Sequence, residues 1–250
     1  DPDKIREALQ DDLLIKAVAV THNETSTGVT NDLRQIASTV RTFDKLLIVD
    51  AISSLGCIPL DVDAWGCDVV VTGSQKGFMV PPGLAFVSVS DRGWDASKIS
   101  RMPRFYLDLE KHVVARRRGQ TPWTPAVSVL FGLEEALKQM LSEGMQAIHQ
   151  RHKMIATQVR NGILGLGLEL FARDLEYASD TVTAVKIPDG IKAGDLLGML
   201  RNQHGVVLAG GQGSEMEGKI FRVGHLGFVD SSAVEDVMAA LEKTLAGLRA

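Results

Sequence analysis

Four uninterrupted apolar, β-branched runs mark the first 90 residues: Lys16–Val20, Leu46–Val49, Asp68–Val71 and Leu84–Val89. Continuous rather than alternating hydrophobicity predicts strands buried on both faces of a mostly parallel sheet. Between the first two runs, Leu33, Ile36, Ala37, Val40 and Phe43 recur at helical spacing, with Asn31 or Asp32 placed to cap the helix. Strand, helix, strand in this order is a βαβ unit, so this half of the chain reads as α/β.

The pattern changes after Asp91. Residues 91–125 hold Pro103, Pro122, Pro125 and the cluster Arg116–Arg118, an irregular stretch with short elements. A helix is expected from about Val127 to Ser142, with Val127, Leu130, Phe131, Leu137 and Leu141 as its apolar stripe. Another runs from about Met145 to Leu164 and ends at the steps Gly162, Gly165 and Gly167. The remainder predicts strands at Leu168–Phe171, Thr181–Ile187, Val206–Ala209 and Lys219–Val223, with helices at Ala193–Gln203 and Ser232–Leu248. Ser232 with Glu235 matches a capping box. The expected division is a large unit over 1–125, a connecting helix over 126–148 and a small α/β unit over 149–250.

Composition narrows the classes. The chain has 250 residues, a net charge of −4 and 45% hydrophobic residues, which excludes disordered and low-complexity proteins. A slightly acidic balance gives no footprint for nucleic acid. No uncharged apolar run is long enough for a membrane span, and Asp-Pro-Asp-Lys does not open like a signal peptide. Two cysteines, Cys57 and Cys67, fit a reducing compartment, so a cytoplasmic location is expected.

The chemistry concentrates where two buried strands end. Leu46–Val49 runs into Asp50, and Asp68–Val71 runs through Thr72-Gly73-Ser74-Gln75 to Lys76. Open α/β sheets keep their ligand sites at that carboxyl edge. An acid and a lysine delivered there suit pyridoxal phosphate: the lysine holds it as a Schiff base and the aspartate keeps the pyridine nitrogen protonated. A free lysine has a pKa of about 10.4, so its amine needs desolvation or a nearby positive charge to attack an aldehyde. Taken singly, an aspartate such as Asp50 is most often a turn or cap residue and a lysine such as Lys76 is usually a solvated surface charge.

The flanking sequence carries more. Thr21–Val29 (THNETSTGV), Val49–Gly56 (VDAISSLG), Gly73–Gly77 (GSQKG) and Pro81–Leu84 (PPGL) resemble the class V aminotransferases of pyridoxal phosphate fold type I. The similarity is strongest to the alanine–glyoxylate and serine–glyoxylate (serine–pyruvate) branch. It continues through Arg104–Asp108, Thr121–Pro125 and Phe221–Gly224. The resemblance implies that Lys76 anchors the cofactor and moves the proton, and that Asp50 pairs with the pyridine nitrogen. It further implies that Ile52 packs on one ring face, Thr25 offers a hydroxyl, and Gln75 lies by the phosphate or ring hydroxyl. Thr124 and Thr121 would reach the phosphate of the neighbouring subunit's cofactor in a homodimer. Arg222 would bind the substrate α-carboxylate as a fork, a task lysine does less well. The implied activity moves the amino group of alanine or serine to glyoxylate or pyruvate.

Family members begin well over a hundred residues earlier, and that stretch carries a phosphate-holding glycine turn and a ring-stacking aromatic. The alternative expectation is therefore a non-catalytic, self-associating remnant that binds pyridoxal phosphate weakly. Cysteine desulfurases share the fold class, but Cys57 and Cys67 flank strands and read as small buried side chains. The basic cluster Arg116–Arg118 reads as a solvated loop. His149 and His152 read as surface histidines rather than metal ligands. Gly210-Gly211-Gln212-Gly213 matches neither a P-loop nor a dinucleotide fingerprint and is expected to turn the chain near the substrate entrance.

Overall fold

The computed structural model describes residues 1–249. The first part contains α1 (Pro2–Asp11), β1 (Ala17–Thr21), the hairpin β2 (Asn23–Glu24) and β3 (Val29–Thr30), α2 (Leu33–Thr42), β4 (Leu46–Asp50), α3 (Val62–Trp65), β5 (Val69–Gly73) and β6 (Ala85–Val89). Then follow α4 (Asp91–Ile99), α5 (Leu109–Arg116), α6 (Val127–Glu143) and α7 (Met145–Gly165). The last part holds β7 (Val182–Lys186), α8 (Ala193–His204), β8 (Ala209–Gly210), β9 (Ile220–Gly224) and α9 (Ser231–Arg249).

The larger sheet has the order β1-β4-β5-β6, with the first three strands parallel and β6 antiparallel. Asp32 caps α2 by accepting from the Gln35 N–H at 3.0 Å. That helix lays Leu33, Ile36, Ala37 and Val40 against Leu47, Val49 and Val70 of the sheet. The expected burial on both faces does not occur in this larger sheet. Along β4, Leu47 and Val49 are buried while Ile48 between them is 36% exposed, and Val87 on β6 is 41% exposed. A sheet face is buried only where a second layer covers it, and among the described residues the second face lacks a full layer.

Helix α6 corrects a second expectation. Val127, Leu130, Phe131, Leu137 and Leu141 are all exposed, whereas Ala136 and Met140 are buried. The helix turns its small side inward: a Cβ on Gly132 would meet Val80, and the Met140 methyl lies over Gly56. Small residues allow that close approach, and it leaves the bulky stripe outward.

The second core lies around the antiparallel sheet β7-β9-β8, closed by α7, α8 and α9. Ile155, Val159, Ile163, Val185, Leu196, Leu200, Phe221 and Leu241 form its centre, none more than 2% exposed. The strand expected at Leu168–Phe171 reduces to a single bridge, Leu170 to Val185. The one expected at Val206–Ala209 shrinks and shifts to β8. Asp230, rather than Ser232, caps α9: its carboxylate accepts from the Ala233 N–H at 2.9 Å. Among the described residues no helix is long and apolar enough to cross a membrane.

Candidate active site

Parallel pairing of β4 with β5 sets Asp50 opposite Val71, so both strands deliver their carboxyl ends to one edge. At that edge one Asp50 oxygen accepts from the Ile52 N–H at 2.9 Å, a local turn that fixes the carboxylate. Its other oxygen has no protein partner among the described residues. Ile52 follows with its side chain 36% exposed, an apolar surface beside a carboxylate.

Lys76 sits in the loop that leaves β5. Ser74, fully buried, closes this loop: its hydroxyl donates to Pro81 O at 2.8 Å and accepts from Leu84 N at 3.3 Å. The Lys76 carbonyl accepts from Met79 N at 2.9 Å, and Met79 adopts a left-handed φ of 60°. Gly77 explains how the lysine reaches the loop after Asp50. A Cβ there would fall 2.8 Å from Cys57 Sγ and still closer to Leu55 O, so only glycine permits the contact. Lys76 is half-buried, and its amine makes no hydrogen bond or ion pair among the described residues. Gln75 is exposed, with its amide folded over Gly73.

Arg222 arrives from the other sheet. Its Nε donates to Gly210 O at 3.0 Å and its Nη1 to Thr25 O at 3.2 Å and Gln212 Oε1 at 3.4 Å. The glycine-rich turn therefore holds this arginine. Thr25 lies at the tip of the β2–β3 hairpin, where Glu24 accepts from the Ser26 N–H and hydroxyl at 2.8 and 2.7 Å. Gly77 thus sets the Lys76 loop against the turn that follows Asp50 and Ile52, and Arg222 of β9 is tied to Thr25 in the β2–β3 hairpin. Thr121 and Thr124 join neither. Both are exposed, Thr121 donates to Trp123 O at 2.7 Å, and they line a separate surface cleft over 119–125.

Several polar residues went unremarked in the sequence. His22, Asn23, Ser53, Ser54, Ser179 and Thr181 are all buried. His22 Nδ1 lies 3.0 Å from Ser54 Oγ, and burial pushes its pKa down to about 4. The only sequence signal is polar His22-Asn23 directly after an apolar strand. His152 is no surface residue. It is 1% exposed, donates from Nδ1 to Ile148 O at 2.8 Å and accepts at Nε2 from Gly227 N at 3.1 Å. It falls on the same α7 face as Ile148, Ile155, Ala156 and Val159, which packs inward. Cys57 and Cys67 are buried, and desolvation pushes both thiols up to about 11. Neither suits an exposed nucleophile.

Residues 1–227 match the family profile described as "Aminotransferase class-V". The chain belongs to the class V aminotransferase family. Pyridoxal phosphate is that family's cofactor, and solved class V structures share this fold. The pyridoxamine–pyruvate aminotransferase of Mesorhizobium loti superposes with a TM-score of 0.95 at 33% identity, covering all of this chain and 64% of that one. The serine–glyoxylate aminotransferase of Methylorubrum extorquens is 35% identical over 98% of this chain and 63% of its own length. A Synechococcus protein named "Soluble hydrogenase, small subunit" is 47% identical over 93% of this chain. The chain spans about three fifths of that relative's length, 60%.

Proposed function

We propose that the protein is a pyridoxal-phosphate-dependent aminotransferase that moves the amino group of a small amino acid, alanine or serine, to a 2-oxo acid such as glyoxylate or pyruvate. The observation that carries this reading is that parallel β4 and β5 deliver to one sheet edge the Asp50 carboxylate, with one open oxygen, and the loop bearing the partnerless Lys76 amine. The residues present fit the cofactor: an amine free to bond, a carboxylate with one open oxygen, an exposed isoleucine and a nearby hydroxyl.

When bound, pyridoxal phosphate supplies the electron sink that weakens the substrate's α-C–H bond. Lys76 would hold the cofactor, and its amine would carry the proton taken from the substrate's α-carbon. Asp50 keeps a proton on the pyridine nitrogen, a charge-assisted hydrogen bond worth roughly 1.5–3 kcal/mol. Ile52 would cover one ring face, the Thr25 hydroxyl would serve the ring, and Gln75 would serve the phosphate or ring hydroxyl. Arg222 binds the α-carboxylate, and its Nη2, free of protein partners among the described residues, is the open end of the fork. Thr124 and Thr121 serve the site of a second copy, which makes the working unit a homodimer in the cytoplasm. A division into a large and a small unit is supported by two separate hydrophobic cores, although the bound expected at 148 falls inside α7.

Alanine and serine tested as donors against glyoxylate and pyruvate check the proposal. Lys76→Ala is expected to abolish transfer, and Arg222→Ala to raise the donor KM at least about ten-fold, the scale of a lost charged hydrogen bond. Undiminished transfer by Lys76→Ala contradicts it.

A further inference from the structure

The surface where the two sheets' loops meet, around Arg222 and the Asp50 loop, is joined by a buried polar knot with Asn23 at its centre. Asn23 is 2% exposed. Its Nδ2 donates to Ser53 Oγ at 2.8 Å and to Thr181 Oγ1 at 3.0 Å. Its Oδ1 accepts from Thr30 Oγ1 at 2.7 Å, and its backbone carbonyl accepts from Ser53 Oγ at 2.7 Å. These bonds fix the amide's direction. Ser53 spends its single hydroxyl proton on the Asn23 carbonyl, so toward the side chain it can only accept. A reversed amide would set acceptor against acceptor.

Each partner leads to a different part of the site. Ser53 stands next to Ile52 and three residues after Asp50. Thr181 immediately precedes β7, and its carbonyl accepts from the N–H of His225, three residues past Arg222, at 2.9 Å. Asn23 itself lies two residues before Thr25, whose carbonyl holds Arg222 Nη1 at 3.2 Å. The hairpin is further seated on the second sheet at Gly28, where Ser179 N donates to Gly28 O at 2.9 Å. A Cβ on Gly28 would come within 2.9 Å of Ala184 N.

We propose that Asn23 is a positioning residue that locks the cofactor-facing loop Asp50–Ser54 and the carboxylate-binding Arg222 into one frame. The proposal rests on the roles given above to Asp50 and Arg222. An amide suits the task where an apolar contact does not. It needs two acceptors and one donor in fixed directions, and a slip between the loops leaves buried polar atoms unpaired. Asn23 touches neither substrate nor cofactor. It decides whether the two ends of the site stand at the right separation.

The two arms of the knot can be cut separately. Thr181→Val keeps volume and the Asn23–Ser53 bond but removes the link to the second sheet. It is expected to raise the donor KM about five- to ten-fold, as for one lost buried hydrogen bond, with kcat and the Kd for pyridoxal phosphate within about two-fold of wild type. Ser53→Ala is expected to weaken pyridoxal phosphate binding by a similar factor, read by fluorescence titration, with donor KM near wild type. Asn23→Ala combines both losses. The melting temperature of cofactor-free protein monitors folding in each variant. A structural role alone lowers that temperature and the active fraction without separating KM from cofactor affinity. Equal changes of both quantities in Thr181→Val and Ser53→Ala would overturn the proposal. Raised donor KM in Arg222→Ala with wild-type KM in Thr181→Val overturns the proposal alone. Unchanged KM in Arg222→Ala overturns the carboxylate role and the proposal with it.

Discussion

The two sheets are built from similar β-branched strands and end with opposite burial. In β7, Val182, Thr183, Ala184 and Val185 are all buried, and in β9 Phe221 is fully buried. In β4 and β6, Ile48 and Val87 face outward at 36% and 41% exposure. Amino-acid type does not separate these cases. Coverage does: α7, α8 and α9 close over the smaller sheet, whereas α2 covers only one face of the larger one. The contrast extends to α6, whose Phe131 and Leu141 are 68% and 78% exposed. A hydrophobic run states that a residue is suited to burial, and tertiary coverage decides whether burial happens.

The largest expected effect sets these cores against each other. Phe221→Ala should cost about 3–5 kcal/mol of unfolding free energy, as for other buried aromatics, while Ile48→Ala should cost about 1 kcal/mol or less. Urea denaturation of both variants measures the difference. Equal losses would mean that the larger sheet's outer face is buried in solution.

Acid should weaken the junction between the sheets next. Burial lowers the folded-state pKa of His22 to about 4 and of His225 to about 3. The unfolded chain therefore binds more protons between pH 6.5 and pH 4, so stability rises with pH across that window and is lost on acidification. For His22 alone the loss from neutrality to pH 4 is on the order of 3 kcal/mol. Unfolding midpoints taken from pH 7 to pH 4 should fall, and His22→Gln should flatten the slope. A slope unchanged by that substitution would show that His22 stays solvated.

Much of this arrangement was legible in the sequence and some was not. The strand ends bearing Asp50 and Lys76 could be read because buried parallel strands have continuous apolar runs and a fixed functional edge. Arg222 could be placed only through resemblance, since a lone arginine on a strand has no pattern of its own. Asn23 and His152 were invisible for a different reason. A buried polar residue betrays itself only through its partners, and those lie at Ser53, Thr181 and Gly227, far away in the chain. The outward turn of α6 was hidden likewise: the stripe of large residues outweighs Gly132, Ala136 and Met140 in any periodicity, yet those make the contact.

A smaller effect is expected at the turn that seats the lysine. Gly77→Ala forces the backbone away from Leu55 O and Cys57 Sγ, an overpacking cost of about 1–3 kcal/mol. Its signature should be weakened cofactor binding beyond the loss of stability, seen by titration with pyridoxal phosphate. The smallest effect belongs to the Glu143–Arg151 pair, joined at 2.6 Å near the end of α6. The Arg151 guanidinium holds the Glu143 carboxyl below its ordinary range, so its contribution is present at neutral pH and lost as pH falls through the lowered value. Solvent screens this pair, and Glu143→Gln should shift stability by no more than about 1 kcal/mol.

The central claim is that Lys76 is the cofactor's covalent anchor. Protein mixed with pyridoxal phosphate, reduced with borohydride and digested with trypsin should yield a single cofactor-labelled peptide, modified at Lys76. Its absorption band should be missing in Lys76→Ala. Label spread over surface lysines, or the same labelled yield after Lys76→Ala, would contradict the account.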